Sequence, residues 1–447
     1  MDAMRTLLAR HLTCGLAALL LSSLTACATD PAGEPPGTPG EEPGELGTVT
    51  AVVYQGGAPT ADVPVAFHDA TGAVIAVVTT GADGVASATV TAGAMITVPR
   101  ERADGTRQLE TMTGVAPGDT ITFGLLPGDV SGNEAGRLRI TGSPVQNTPS
   151  YTVDAGCRSS TVTALTPAPE IMVGSACVAT PGVASVMVAS LRQDGIPYSW
   201  AAATDVPVAP GTVGEATLSA WSADFVGMSV TTTALPDNAL GVIGAAAAVH
   251  RDIPFRALAV ENQVNAYPGG AATMILGYPR FGDGIDFKLQ LVTGANETAT
   301  GISVIVGREA GHPEQIVLDG GTSYLPVARV VTANTSSAAA TAVTWQLAPG
   351  TVADAALVVV TGTQAAAGTR WTVMMRAEAG ALTLPALPPE LARFAPTSVT
   401  MTDVVLVDDD AVMGFDDARL EASLAILDRP LRGLTARVRY ALERVAN

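Results

Sequence analysis

Enzymatic chemistry needs side chains that can exchange protons, attack a carbonyl or hold a metal, and this chain offers few of them. Beyond residue 26 the only histidines are His68, His250 and His312. Val63, Val65 and Phe67 alternate onto one face, so His68 is expected to point to the other. His250 ends an alanine-rich run and His312 precedes Pro313 in a polar stretch. All three read as surface or hydrogen-bonded histidines rather than as bases. There is no His-Glu-x-x-His, no Gly-x-Ser-x-Gly elbow and no glycine-rich phosphate loop closed by Lys-Ser or Lys-Thr. Gly321-Thr322-Ser323-Tyr324-Leu325 comes nearest the elbow and lacks its closing glycine.

Carboxylates gather once, at Asp403, Asp408, Asp409, Asp410, Asp416 and Asp417. Hard oxygens on a loop suit Ca²⁺, and Asp408, Asp410 and Asp416 are the candidate ligands. Against an EF-hand loop starting at Asp408, Asp410 fits, but Val412 and Met413 stand where an oxygen ligand and a glycine are needed. A solvated turn between strands is the favoured reading. A glycan hydrolase would need two facing carboxylates, and sugar platforms would strengthen that alternative. Trp200, Trp221, Trp345 and Trp371 are expected in sandwich cores instead.

The elements that must position these groups read as sheet. The 447 residues suffice for several domains, charged residues make up 15% and aromatics 4%, and Ala, Val, Thr, Gly and Pro are abundant. A net charge of −18 with Lys288 as the only lysine excludes efficient neutralisation of a phosphate backbone, so no nucleic-acid partner is expected. Asp83-Gly84, Asp104-Gly105, Asp194-Gly195, Asp283-Gly284 and Asp319-Gly320 lie near runs of Val, Ile and Thr and predict tight turns between strands. Thr400, Thr402, Val404 and Leu406 share one face with Asp403 opposite, predicting a half-buried strand. Leu240 to Val249 is too short to cross a membrane as a helix and reads as a buried strand or short core helix. From Leu431 to Val445 the apolar residues fit both periods, and the β surroundings favour a strand. Ala209-Pro210-Gly211-Thr212-Val213 recurs as Ala348-Pro349-Gly350-Thr351-Val352, raising the question of a duplicated unit.

At the N-terminus, Arg5 and Arg10 precede an apolar stretch from Leu16 to Leu24, the length of a signal-peptide core. It ends in Leu24-Thr25-Ala26-Cys27, which resembles the lipobox of bacterial lipoproteins. That resemblance implies cleavage before Cys27, a covalent lipid on its sulfur, and a membrane as partner. Ala28 stands where an Asp would resemble an inner-membrane retention signal, so outer-membrane placement is expected. Residues 27–47, rich in Pro, Gly and acid, read as a disordered tether. Cys157 and Cys177 then remain. An even pair in an exported chain fits a disulfide closing a loop of about 20 residues, worth on the order of 3 kcal/mol, with two free thiols or half a metal site as alternatives.

The segment 48–126 carries Val63-Pro64-Val65, then Thr79-Thr80-Gly81-Ala82-Asp83-Gly84, then Ala92-Gly93-Ala94 before Ile96-Thr97-Val98. This order resembles bacterial Ig-like and carboxypeptidase-regulatory-like β-sandwiches, with Gly81 replacing the first Asp of their turn. The resemblance implies a spacer or accessory module without a catalytic centre. The expected organisation is all-β: a signal peptide (1–26), the tether (27–47), this sandwich (48–126), a β-rich middle domain (127–245) and a larger C-terminal sandwich (246–447). No catalytic residue or cofactor is assigned. The function expected is that of a membrane-anchored structural, adhesive or binding protein of the envelope, with a protein or glycan partner; the alternative is an all-β glycan-hydrolysing or glycan-binding enzyme.

Overall fold

The computed structural model describes residues 46–446, apart from 56–57, 102–104, 125–133, 156–157, 175–177, 179, 194–196, 252, 256–261, 266–269, 295–299, 335–341, 366 and 422–436. The chain is all-β, built of antiparallel sandwiches, as its β-branched composition predicts.

The first sandwich contains β1 (Gly47–Gln55), β2 (Ala58–Pro59), β3 (Pro64–His68), β4 (Val74–Thr79), β5 (Val85–Val90), β6 (Ala94–Glu101), β7 (Arg107–Val115) and β8 (Thr120–Phe123). The second contains β9 (Glu134–Thr141), β10 (Ser150–Ala155), β11 (Arg158–Val162), β12 (Glu170–Gly174), β13 (Val183–Leu191), β14 (Pro197–Pro207) and β15 (Val213–Thr217). The third contains β16 (Phe225–Thr233), β17 (Ala239–His250), β18 (Ile253–Phe255), β19 (Asn262–Asn265), β20 (Ala272–Pro279), β21 (Gly284–Gly294), β22 (Thr300–Ala310) and β23 (Gln315–Asp319). The fourth contains β24 (Arg329–Asn334), β25 (Ala342–Gln346), β26 (Ala355–Gln364), β27 (Ala367–Met375), β28 (Ala381–Thr383), β29 (Ser398–Asp409) and β30 (Val438–Ala446), with the short helices α1 (Pro389–Ala392) and α2 (Gly414–Glu421).

One sheet passes through three of these sandwiches. Its 13 strands run β18-β17-β21-β22-β30-β29-β26-β27-β7-β6-β3-β4, with β19 also on β17. Two joints make it continuous. β7 lies parallel to β27, from Arg107 beside Thr369 to Met112 beside Met374. β22 lies antiparallel to β30, from Gly301 beside Glu443 to Val306 beside Val438. Backbone hydrogen bonds therefore connect sandwiches that separate cores alone would leave loosely associated.

Each sandwich buries its own facing side chains. Val65, Phe67, Ile96, Ile121 and Phe123 pack in the first, and this core continues onto Leu357, Met374, Val405, Val407 and Tyr440 of the fourth. On the other face of the same strands, Trp371, Val358, Val404 and Leu406 pack against Val343, Trp345, Leu382 and Leu391. β29 is thus buried on both faces: Thr402, Val404 and Leu406 on one, Asp403, Val405 and Val407 on the other. The alternation read from the sequence gives the two faces correctly, but the expected half-burial is overturned because the strand is central in its sheet.

The strand pairing redraws the divisions of the chain. A boundary after residue 245 falls inside β17, which pairs with β21 from Ala239 to Val249. β16 likewise pairs with β20 and β23 further along the chain. The break lies between β15 and β16 instead, and 246–447 holds one sandwich and part of another. The Leu240 to Val249 run is strand throughout, and Val438–Ala446 is strand, whereas Leu431 and Leu434 lie outside the described residues.

The Asp-Gly pairs fall in two settings. Asp104-Gly105 and Asp194-Gly195 stand in the sequence between the hairpin partners β6 and β7, and β13 and β14, with Asp104, Asp194 and Gly195 outside the described residues. Those at Asp83 and Asp283 join strands of opposing sheets, and that at Asp319 leads from β23 of the third sandwich to β24 of the fourth. At Asp83-Gly84 the amide of Gly84 donates to Gly81 O (2.9 Å) and Val85 N–H donates to Asp83 Oδ1 (3.1 Å). Gly84 has φ +75°, and a Cβ there would stand 2.7 Å from Val53 O, so only glycine fits. The recurring Ala-Pro-Gly-Thr-Val segments form the same turn: Thr212 N–H and Thr351 N–H each donate to the alanine three residues earlier at 3.0 Å. The strands they lead to differ, β15 lying parallel at a sheet edge and β26 lying central and antiparallel. The likeness is one of turn chemistry.

Candidate functional site

The acidic cluster sits where β29 ends and α2 begins. Asp408 and Asp409 are the last residues of β29, both more than nine-tenths buried, and Asp354 lies just ahead of β26 beside them. Asp354 accepts hydrogen bonds from Asp409 N–H (2.8 Å) and Gly414 N–H (2.9 Å). Asp409 accepts from Ala411 N–H (2.9 Å), and Asp417 from Met413 N–H (3.2 Å). The 410–414 turn is thereby fastened to the sheet by carboxylates accepting its amides.

Arg439 of β30, directly across from Asp408, pairs with both Asp408 and Asp410, the latter at 3.4 Å. Burial pushes the Asp408 carboxyl up to about 6; Arg439 opposes that shift, and Asp354 and Asp410 add to it. Burial raises Asp354 as well, against the amides of Asp409 and Gly414. Asp416 belongs to a separate set of contacts, with Arg376 (2.9 Å) and Arg419 (3.2 Å). The three candidate calcium ligands Asp408, Asp410 and Asp416 therefore face arginines in two separate networks. Among the described residues no group of three or more His, Cys, Asp or Glu side chains is arranged to hold a metal. The solvated turn expected here is corrected in its first half, since Asp408 and Asp409 extend a buried strand.

The same cross-strand pattern recurs along the sheet. Asp403 faces Arg444 with two bonds (2.8 and 3.1 Å), and Asp286 faces Arg308 with two (2.7 and 3.1 Å). Paired guanidinium and carboxylate forks satisfy charges that burial would otherwise penalise. Arg419 of α2 ties the fourth sandwich to the first, donating to Gly114 O (2.5 Å) and pairing with Asp119 (2.6 Å). The Asp354 arrangement gives a direct prediction. Asp354→Ala leaves two amides without their acceptor and is expected to cost about 2 kcal/mol, read as a lower urea midpoint; an unchanged midpoint would show that the turn does not depend on this carboxylate.

A second buried polar group was not anticipated. His68 is fully buried, its Nε2 lies 3.0 Å from Thr97 Oγ1, and Thr97 Oγ1 is 2.9 Å from Thr111 Oγ1. Trp371 Nε1 then donates to Thr111 Oγ1 at 2.9 Å. This chain of four side chains passes from β3 through β6 and β7 to β27, crossing the joint between two sandwiches. Burial lowers the His68 pKa to about 4, with the Gly72 carbonyl and Asp69 carboxylate opposing the shift.

The other sequence candidates are dispersed. His250 lies near Phe281 and Asp283, and His312 stacks on Tyr278. Ser323 Oγ donates no proton to a histidine in this fold; it accepts from Asp319 N–H (3.2 Å) in a turn. Trp345 and Trp371 are core residues, as expected, whereas Trp200 and Trp221 are only half-buried and donate to the carbonyls of Asp224 (2.9 Å) and Ser143 (2.7 Å). Cys27, Cys157 and Cys177 lie outside the described residues.

No protein-family model and no curated protein matches the chain. Among solved structures, it is similar to a Ca²⁺-stabilised ice-binding adhesin of an Antarctic bacterium, at 14% identity over 82% of this chain and 95% of that one, with a TM-score of 0.14. It is also similar to the Bacillus anthracis TIE protein, at 13% identity over 61% of this chain and 50% of that one, with a TM-score of 0.15. A Streptococcus pyogenes major pilin gives 9% identity, 62% and 97% coverage and a TM-score of 0.10.

Proposed function

We propose that the chain is an exported lipoprotein whose β body works as a structural or adhesive scaffold of the cell envelope, held to a membrane by a lipid on Cys27. The observation that carries this reading is the sheet that runs through three sandwiches. Joining units by backbone pairing makes a scaffold that resists bending where a flexible linker would not. Its buried acids support the same reading, because Asp286, Asp403 and Asp408 are each engaged by an arginine on the neighbouring strand. Core burial of Trp345 and Trp371 also fits a scaffold better than a sugar-binding cleft.

Attachment by lipid is compatible with the absence, among the described residues, of any helix long and apolar enough to cross a membrane. The Leu24-Thr25-Ala26-Cys27 sequence is what supports it, and the acidic segment that follows would hold the body clear of the surface. Outer-membrane placement and an envelope protein or glycan as partner are part of the same proposal. Metabolic labelling with a fatty acid should mark the wild-type protein and leave Cys27→Ser unlabelled. Protease added to intact cells expressing each form should release the anchored body only from the wild type. Equal labelling of the two forms, or none of either, would sink the anchor.

A further inference from the structure

We propose that β4 is an association edge through which two copies of this chain pair antiparallel and continue the sheet across a two-fold axis. β4 closes one end of the 13-stranded sheet; β3 occupies one of its edges, and no described strand pairs with the other. Val74, Ile75 and Val77 are 38%, 49% and 38% exposed. No residue from Ala70 to Ala82 is charged. Edge strands that must stay single usually carry lysine, proline or an inward charge, because an open row of amides and carbonyls recruits further strands. The one blunting device here is a register shift opposite Phe67 and His68, which disturbs Ile75 and leaves Ala76 to Thr79 regular.

A second copy of the chain is the occupant the structure favours. This protein already joins whole sandwiches edge to edge, at β7 with β27 and at β22 with β30, and β4 is the open end of that same sheet. The strand is also self-complementary. An antiparallel two-fold normal to the sheet pairs residues that point to the same face, so its centre falls on a residue. Centred on Val77, within the regular stretch, it sets Val77 against the partner's Val77, Ile75 against the partner's Thr79 and Ala76 against the partner's Val78. Exposed β-branched residues then meet β-branched residues, and Ala76 and Val78 extend the inner face they already line. Because each copy carries a formal charge of −18, association is expected to strengthen as salt rises.

Val77 placed on the axis makes the test specific. The purified protein, at about 100 μM so that even a weak specific dimer is populated, should show by light scattering a mass twice that of one chain. Val77→Lys puts two ammonium groups opposite one another, and Val77→Glu two carboxylates, so each variant alone should show the single-chain mass. Mixing the two should restore the doubled mass, which a variant that merely misfolds could not do. Met413→Lys, at a side chain 87% exposed elsewhere, should keep the doubled mass. A wild-type protein at the single-chain mass would overturn the proposal and leave the edge to a foreign strand. Variants that stay doubled, or a mixture that stays single, would overturn it by placing any contact elsewhere.

Discussion

Trp371→Ala is expected to lower stability by about 3–5 kcal/mol, the range for removing a fully buried tryptophan. Trp371 is 1% exposed, sits on β27 at the joint with β7, and packs among Leu109, Val358 and Val404. Its loss removes both that packing and the donor to Thr111. Trp371→Phe keeps most of the packing and loses the hydrogen bond, so it should cost about 1 kcal/mol. Because the residue bridges two sandwiches, the far-ultraviolet dichroism of both should melt at a lower urea concentration in Trp371→Ala. A variant with the wild-type midpoint would mean that the joint contributes little to the cohesion of the body.

Acid should act on the same joint through His68. Its folded pKa of about 4 lies below the ordinary imidazole value of 6.5, so the neutral ring is what the fold accommodates. Above 6.5 the ring is neutral folded or unfolded, and its contribution is fully present. As pH falls from 6.5 towards 4, the unfolded chain takes up a proton that the folded chain refuses, and stability is lost over that window by at most about 3 kcal/mol. Asp408 works in the opposite sense: its folded pKa, raised to about 6, means that the fold gains relative stability as pH falls from there towards 3.8. The comparison that isolates the histidine is therefore wild type against His68→Gln at each pH, in which the Asp408 contribution cancels. The gap between them should change by up to about 3 kcal/mol from pH 7 to pH 4, in the direction that favours the variant in acid. A gap independent of pH would mean that the ring protonates freely in the fold.

His68 also shows where reading the sequence stops. Alternation with Val63, Val65 and Phe67 gives its direction, and that direction holds. What alternation cannot give is that the opposite face is covered too, by residues more than 300 positions later such as Leu384 and Leu391, which pack in one core with Ala66. The same limit governs Asp403, Asp408 and Asp286. Each is visible as an acid in a strand, but its arginine is identified only once strand register is known, and register is a property of pairs of distant segments. The fold class needs no such information, because β-branched composition and Asp-Gly turns act locally, and it was legible. The Asp-Gly signal alone does not say which strands a turn joins, which is why Asp83-Gly84 and Asp319-Gly320 look alike in sequence, yet the first joins opposing sheets of one sandwich and the second leads from the third sandwich to the fourth. The division at residue 245 failed for a related reason: an alanine-rich run carries no boundary signal, and β17 pairs across it.

Hydrogen exchange measured along the joint strands tests the continuous sheet most directly. If β7 and β27 are neighbours in one sheet, and β22 and β30 likewise, amides of Leu109 to Met112, Trp371 to Met374, Val304 to Val306 and Tyr440 to Leu442 should be protected about as strongly as those in the middle of β26, because they open only when the sheet does. Amides that exchange at these joints on the fast timescale of free sheet edges, while β26 stays protected, would show separate sandwiches and contradict the scaffold.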